Sequence, residues 1–305
     1  RPRMLTPPGQ VERWRILNAA FLDEVFLGLF RGADADCSSF STAAEDTLEL
    51  TQIGRDGLIL PQPFSHENVF MSSGYRVEAM LGGEDVLRDG ETWCLVAARF
   101  LQEHDPAFGE FGEEPFSPVE PPAPEDILAR FSSDGDVVAI LNVTKSAGQP
   151  TTTTPPDYAA IGALSPDMDF DGVAIAARCA DAAQVTEPSE IDQVAVLQVG
   201  FFTADDPDPC GCPNYNVNCD NFETTDRSRY PFDRDLVLDA VEHWRVAASF
   251  DGHPFHIHIN PFVVCPNENV FDPIPFPHFR DTYHVNLKRK IDVITQNRAF
   301  TGRSE

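Results

Sequence analysis

Short apolar runs bounded by turn-forming residues recur along the chain. The runs are rich in Val, Ile, Leu, Phe and Thr, whereas long stretches with helical periodicity are scarce. Residues 55–57 separate two of these runs, and Gly57 can take the positive φ that a tight turn between strands requires. The pattern predicts an all-β sandwich. The clearest strand candidates in the first half are residues 13–18, 24–30, 47–53, 75–81 and 93–100.

Two compositionally biased segments suggest the domain organisation. Residues 104–126 are acidic and Pro-rich, and residues 145–170 are rich in Thr, Pro, Gly and Ala. Neither can bury enough apolar surface to order itself strongly. Strand-like composition returns at residues 127–131, so we interpret the first segment as a loop within a domain and the second as part of a linker. The predicted divisions are a first domain at 1–144 with its loop at 104–126, a linker and lead-in at 145–185, and a second domain at 186–305.

The net charge and the hydropathy of the chain exclude some classes of binding partner. The chain has 49 acidic and 22 basic residues, which gives a formal net charge of -27. Charge of this sign repels phosphate backbones and anionic membrane surfaces, which argues against nucleic-acid binding. No apolar run approaches the ~18 residues of a membrane-spanning helix, so no membrane span is predicted. The acidity could attract cationic substrates or metal ions, but solubility is the simpler explanation, and the oligomeric state stays open.

Cysteines cluster in one short polar stretch. The chain has seven cysteines, and Cys210, Cys212 and Cys219 lie close together among Pro, Asn and Asp residues. A metal clip is one interpretation, but zinc sites usually have C-x2-C spacing and a second pair of ligands. A disulfide within this loop of an exported protein is favoured, which leaves at least one cysteine unpaired.

Histidines concentrate near the carboxyl end, where His253, His256 and His258 fall within six residues. Side chains alternate faces along a strand, so His256 and His258 should lie side by side while Ile257 points into apolar packing. Their Cα atoms should lie about 7 Å apart, which suits one ligand to each of two metals or both to one metal. His253 has the opposite parity and should serve a different site. Imidazole suits Cu, Zn, Fe and Ni, so the residues predict a metal site without choosing the metal.

Residues 253–262, HPFHIHINPF, resemble the H-P-F-H-I-H-x-N-P-F segment that opens the last cupredoxin domain of multicopper oxidases. The flanking residues 242–244 and 279–282 resemble the E-E-W and W-[RK]-D-T strands of that domain. Three segments further upstream match the middle domain of the family in the expected order. They are the strand at 9–19, the D-G turn at 56–57 and the strand at 73–77.

The resemblance implies tandem cupredoxin-like Greek-key β-sandwiches and a copper-dependent oxidoreductase. In this family the position matching His253 binds the blue copper, that of His256 the type 2 copper and that of His258 a type 3 copper. Asp281 is a candidate acceptor behind a ligating histidine, although a carboxylate that ties a strand end is an equal alternative. The complete enzyme would hold four copper ions, oxidise a small-molecule or metal-ion reductant and reduce O2 to water. Its relatives are periplasmic or extracellular, and the reductant and the axial copper ligand are not identified.

Several parts of the family pattern are missing from the sequence. Nothing matches the two H-x-H pairs of the first domain or the final H-C-H-x3-H strand, and the chain ends just after F-T-G at 300–302. A blue-copper site needs a Cys thiolate, so this chain is expected to be an inactive fragment covering the second and most of the third domain. Two alternatives are a non-catalytic cupredoxin-like scaffold and a simple module that binds one Cu or Zn. His278 could border the entrance for a reducing substrate, but we interpret it as a solvated loop residue. We interpret His243 and His284 as satisfied strand or surface residues.

Overall fold

The chain forms two compact units in a computed structural model, which describes most of the first half of the sequence and part of the second. The first unit contains the described residues up to 165, and the second contains those from 174 onward. The described residues are 1–20, 24–83, 85–100, 124–165, 174–182, 193–198, 216–217, 220–221, 238–248, 253–258, 260–266, 274–285 and 290–296.

The described residues of the first unit form strands and two helices, one helix before and one after the last of these strands. Its strands are β1 Arg3–Thr6, β2 Val11–Leu17, β3 Glu24–Gly32, β4 Phe40–Ser41, β5 Thr47–Leu48, β6 Leu50–Arg55, β7 Leu58–His66, β8 Asn68–Met71, β9 Arg76–Gly82, β10 Thr92–Phe100 and β11 Asp136–Val143. Its helices are α1 Pro124–Asp134 and α2 Tyr158–Gly162, with 3-10 turns at Ala44–Asp46 and Lys145–Ala147.

Two sheets enclose the core of the first unit. One has the order β1-β11-β10-β3-β4, with β5 and β8 also paired to β3, and the other has the order β2-β9-β6-β7. In β9, Val77, Ala79 and Leu81 are buried while the residues between them are partly exposed. They join Phe30 of β3 and Val96 of β10 in one apolar cluster. Alternation of buried and exposed positions therefore produces a sandwich, and the all-β prediction is confirmed.

The predicted turn at Gly57 is also confirmed. Asp56 and Gly57 link β6 to β7 with φ values of 51° and 83°. Two successive positive φ values match the twist of the flanking strands, as hairpins with two-residue loops require.

Two segments after β10 differ from the structure predicted for them. Ile127 and Phe131 lie in α1, so the strand predicted there is wrong. Their spacing of four residues places both on one helical face, and both are buried. In the segment interpreted as linker, Thr151 N donates to Gln10 Oε1 at 2.8 Å, so its first part packs on the first unit. The domain boundaries stay a prediction, and residues 104–123 of the acidic loop lie outside the described residues.

The second unit contains one large sheet and one strand pair within its described residues. Its elements are α3 Ile175–Ala182, β12 Gln193–Gln198, β13 Asn216–Val217, β14 Asp220–Asn221, β15 Val241–Ala248, β16 His253–His256, β17 Phe262–Val264, β18 His278–Arg280, β19 Thr282–Val285 and β20 Lys290–Gln296. The sheet has the order β14-β13-β12-β15-β20-β17-β18, and β16 pairs with β19. Val246, Phe255, Phe262, Tyr283 and Val293 from these strands form its apolar core.

Two disulfides occur among the described residues. Cys37 is bonded to Cys94 in the first unit, and Cys179 is bonded to Cys265 in the second. Neither pair was predicted. The loop disulfide expected among Cys210, Cys212 and Cys219 lies outside the described residues. Within the described part of the chain, no helix is long and apolar enough to span a membrane.

Candidate functional site

The antiparallel pair of β16 and β19 carries the histidine segment. His253 lies opposite Val285, and His256 lies opposite Thr282. Between them Phe255 and Tyr283 are paired, and both are buried in the core of the second unit. The apolar positions fix which face of the strand is inward, so His256 is left on the exposed side.

His256 and His258 lie next to each other. Their ring centroids are 4.6 Å apart with an interplanar angle of 67°. Both residues are exposed, whereas Ile257 between them packs against the core. The alternation predicted from the sequence therefore brings the two imidazoles together, although β16 ends at His256.

Hydrogen bonds determine which nitrogen of His256 carries a proton. Its Nδ1 lies 2.7 Å from the backbone oxygen of Asp281 and 2.9 Å from Oγ1 of Thr282. A carbonyl oxygen only accepts, so Nδ1 is the donor in the neutral ring and Nε2 keeps its lone pair. The arrangement suits a ring that binds a cation through Nε2.

Asp281 lies beside His256, but its carboxylate contacts the ring indirectly. Oδ1 of Asp281 is 3.8 Å from Nδ1 of His256, which is beyond hydrogen-bonding distance. The same oxygen accepts a hydrogen bond from Thr282 Oγ1 at 2.8 Å. The backbone oxygen of Asp281 also accepts from Ile257 N at 3.1 Å. Asp281 therefore contacts the His256 ring through its backbone oxygen, and its carboxylate contacts Thr282.

His253 is held differently from the other two histidines. It is half-buried, and its Nδ1 lies 2.8 Å from the backbone oxygen of Pro254. Among the described residues, no group of three or more His, Cys, Asp or Glu side chains is arranged to hold a metal ion. The described part of the chain thus provides a histidine pair with His253 nearby in sequence, but no complete ligand set.

A polar cluster lies on the main sheet of the second unit. Nε2 of His243 is 2.7 Å from Oδ1 of Asp292, and Nε of Arg245 donates to the same oxygen at 2.8 Å. Burial raises the pKa of the Asp292 carboxyl, but hydrogen bonds and charge from His243 and Arg245 lower it by more, so this pKa lies below its ordinary value. His243 is therefore a buried strand residue with a partner, as one of our two interpretations held.

The environment of His278 differs from the prediction. His278 lies in β18 opposite Val264 and is 2% exposed, so its interpretation as a solvated loop residue is wrong. The reason is that β18 pairs with β17, which the Pro-rich sequence before His278 did not suggest. His284 is buried in β19, in agreement with a satisfied strand residue.

Thr282 and Arg280 are two residues that the sequence did not single out for a role. Thr282 is buried beside His256, and the Arg280 guanidinium lies 5.3 Å from the centre of the Tyr283 ring. Both belong to the segment 279–282 that carried part of the resemblance, and this was the signal that could have found them. The contact of Thr282 with His256 depends on the pairing of β16 with β19, across about 25 residues of chain, whereas Arg280 and Tyr283 are close in sequence.

Comparison with known proteins finds similarity in structure alone. No protein-family model matches the chain, and no curated sequence does. The laccase-like multicopper oxidase CueO from Ochrobactrum sp. has a TM-score of 0.56 at 17% identity, over 97% of this chain and 51% of the other. A multicopper oxidase from Campylobacter jejuni, described as a metallo-oxidase, has a TM-score of 0.56 at 15% identity, over 97% of this chain and 50% of the other. McoA multicopper oxidase from Aquifex aeolicus has a TM-score of 0.52 at 16% identity, over 98% and 51%.

These similarities concern the fold, because the identities are low. The chain spans about half the length of the structures it matches. The predicted class of tandem cupredoxin-like Greek-key β-sandwiches is confirmed. The fold of this chain is that of the multicopper oxidases.

Proposed function

We propose that this chain is part of a copper-dependent oxidoreductase that couples the one-electron oxidation of a reductant to the four-electron reduction of O2. The observation that carries the proposal is the pair of exposed rings of His256 and His258, 4.6 Å apart. The structures with this fold, named multicopper oxidases, supply the second line of support. The activity is proposed for a longer protein, because the chain spans about half of those structures.

The donor chemistry of the described residues fits copper. Imidazole is a suitable ligand for copper, and the backbone acceptor on Nδ1 of His256 leaves Nε2 available. We assign His256 to a type 2 copper, His258 to a type 3 copper and His253 to the blue copper. Four copper ions in the complete enzyme would supply one-electron acceptance from the reductant and delivery of electrons to O2.

The chain's own residues would bind and orient these ions. His256 and His258 provide two ligand rings, and Phe255 and Tyr283 hold their strand pair against the core. Thr282 and the backbone of Asp281 fix the orientation of the His256 ring. A blue-copper site also needs a Cys thiolate, and no cysteine in this sequence lies in an H-C-H segment.

Partners and location follow from the same proposal. The reductant is a small molecule or a metal ion, and the second substrate is O2. A periplasmic or extracellular site is supported by the disulfides Cys37–Cys94 and Cys179–Cys265, since disulfides form and persist in oxidising compartments.

Titration of the 305-residue chain with Cu(II) tests the metal assignment. We expect binding that His256→Ala and His258→Ala each weaken strongly, whereas His66→Ala, in the first unit, leaves it unchanged. Cu(II) binding that neither His256→Ala nor His258→Ala weakens would contradict the proposal. Absence of binding by a folded chain would favour the non-catalytic scaffold instead.

Oxygen uptake tests the oxidase activity separately. With a phenol or aromatic amine as reductant, the chain alone should consume no O2, because it lacks the H-C-H segment. Turnover by this chain alone would contradict the proposed division of ligands. One-to-one Cu or Zn binding without turnover in any longer form would favour the simple metal-binding module, which the close ring pair also permits.

A further inference from the structure

We propose that Thr282 is a positioning residue that, together with the backbone oxygen of Asp281, holds the His256 ring with its proton on Nδ1 and so leaves Nε2 as the ligand atom. The inference rests on the proposed function for the identity of the metal. It adds that the Asp281 carboxylate acts on the ring through the Thr282 hydroxyl rather than directly.

The direction of the hydrogen bonds follows from the acceptors present. Thr282 Oγ1 lies 2.8 Å from Oδ1 of Asp281 and 2.9 Å from Nδ1 of His256. Thr282 Oγ1 is the donor in its hydrogen bond to Asp281 Oδ1, so the hydroxyl hydrogen points to Asp281. A lone pair of Oγ1 then faces Nδ1, which must carry a hydrogen to complete the second bond.

The backbone adds a second acceptor on the same side of the ring. The Asp281 carbonyl oxygen is 2.7 Å from Nδ1 of His256. The opposite tautomer would place the Nδ1 lone pair against two oxygen lone pairs, which is repulsive. Together the two oxygens disfavour that tautomer. Of the two, only the Thr282 hydroxyl can be removed by mutation, because the other belongs to the backbone.

The position of Thr282 in β19 holds its hydroxyl in a fixed orientation beside the His256 ring. Thr282 is 5% exposed and lies directly opposite His256 in the β16–β19 pair. Its neighbour Tyr283 is fully buried, which fixes the face on which Thr282 lies. A hydroxyl held this way keeps its direction, whereas one exposed to water would rotate between partners.

The tautomer of His256 can be read directly in the 305-residue chain by long-range 1H–15N correlation spectra at a pH where the ring is neutral. We expect Nδ1–H in the wild type and in Thr282→Ser, which keeps the hydroxyl. Thr282→Val removes one of the two acceptors on Nδ1 and leaves the Asp281 carbonyl, so it should raise the fraction of Nε2–H above that of the wild type and lower Cu(II) affinity about tenfold. Asp281→Asn should keep Nδ1–H, because its amide oxygen can still accept from Thr282.

The matched control is Thr92→Val in β10 of the first unit, where Oγ1 of a buried threonine lies 3.0 Å from Asn142 Oδ1. It should change neither the tautomer nor the affinity. Nε2–H in the wild type, or an unchanged tautomer in Thr282→Val, would overturn the inference. An equal loss in Asp281→Asn and Thr282→Val would show direct action of the carboxylate and overturn its second part. Failure of the wild type to bind Cu(II) would defeat the proposed function, and the spectra would still decide the role of Thr282.

Discussion

Arg245 on β15 and Asp292 on β20 lie directly opposite each other in the main sheet of the second unit, with Nε of Arg245 2.8 Å from Oδ1 of Asp292. His243, also on β15, contacts the same oxygen. One carboxylate therefore satisfies two cationic or donor side chains that are largely buried.

Asp292→Ala should destabilise the chain by about 2 kcal/mol, because it leaves the largely buried Arg245 and His243 without their shared acceptor. Chemical denaturation measures the change. The control is Asp36→Ala, which breaks an exposed ion pair with Arg3 and should have little effect. Equal losses in the two variants would contradict the importance of burial.

The pH dependence of the same contribution has a defined sign. The pKa of Asp292 is lower in the folded chain than its ordinary value. A carboxylate with a depressed pKa stabilises the fold fully above the ordinary value of about 3.9, and this stabilisation is lost as the pH falls through the folded pKa. The stability difference between wild type and Asp292→Ala should therefore shrink in acid, and a constant difference would contradict the assignment.

Removal of the disulfide of the first unit should weaken that unit. Cys37 and Cys94 are buried and separated by 57 residues in sequence, so their bond restricts a long loop of the unfolded chain. Cys37→Ala combined with Cys94→Ala should cost about 2 to 5 kcal/mol in unfolding free energy. Thiol reductant should destabilise the wild type and affect the double variant less, and equal sensitivity would argue against the bond.

Two glycines with positive φ should respond differently to substitution by alanine. Gly82 has φ of 95°, and an added Cβ would lie 2.1 Å from the backbone oxygen of Gln10. Gly57 has φ of 83°, but a Cβ there meets no atom within 4 Å. Gly57→Ala should cost about 1 kcal/mol from the backbone conformation alone, and Gly82→Ala clearly more. Thermal unfolding measures both, and the reverse order would contradict the close approach at Gly82.

The sequence predicted those features that depend on local periodicity. The exposed pair His256 and His258 follows from the alternation of side chains around the apolar Phe255 and Ile257. The turn at Gly57 follows from the conformational freedom of one residue. These features need no knowledge of which strands pair.

Features that depend on contacts between residues far apart in sequence could not be predicted from the sequence. Thr282 reaches His256 only because β19 pairs with β16 in one register. The partners of Cys37 and Cys179 depend on the fold of each unit, since seven cysteines allow many pairings. The strand wrongly predicted at Ile127 shows that a short apolar run does not distinguish a strand from a helix.

Substitution of Phe255 should lower metal affinity by more than its small effect on the free energy of unfolding would lead one to expect. Phe255 lies between Pro254 and His256 on β16 and contacts Phe262, with ring centroids 5.5 Å apart. Phe255→Leu keeps an apolar side chain and should cost about 1 kcal/mol, yet it loosens the strand that orients the His256 ring. Val246→Ala removes volume from the same core on β15, away from the histidines, and should cost about 2 kcal/mol. We therefore expect Phe255→Leu to lower Cu(II) affinity and Val246→Ala to leave it unchanged, by calorimetric titration beside denaturation. If the more destabilised variant, Val246→Ala, instead showed the larger loss of Cu(II) affinity, global stability and not the position of Phe255 would determine metal binding.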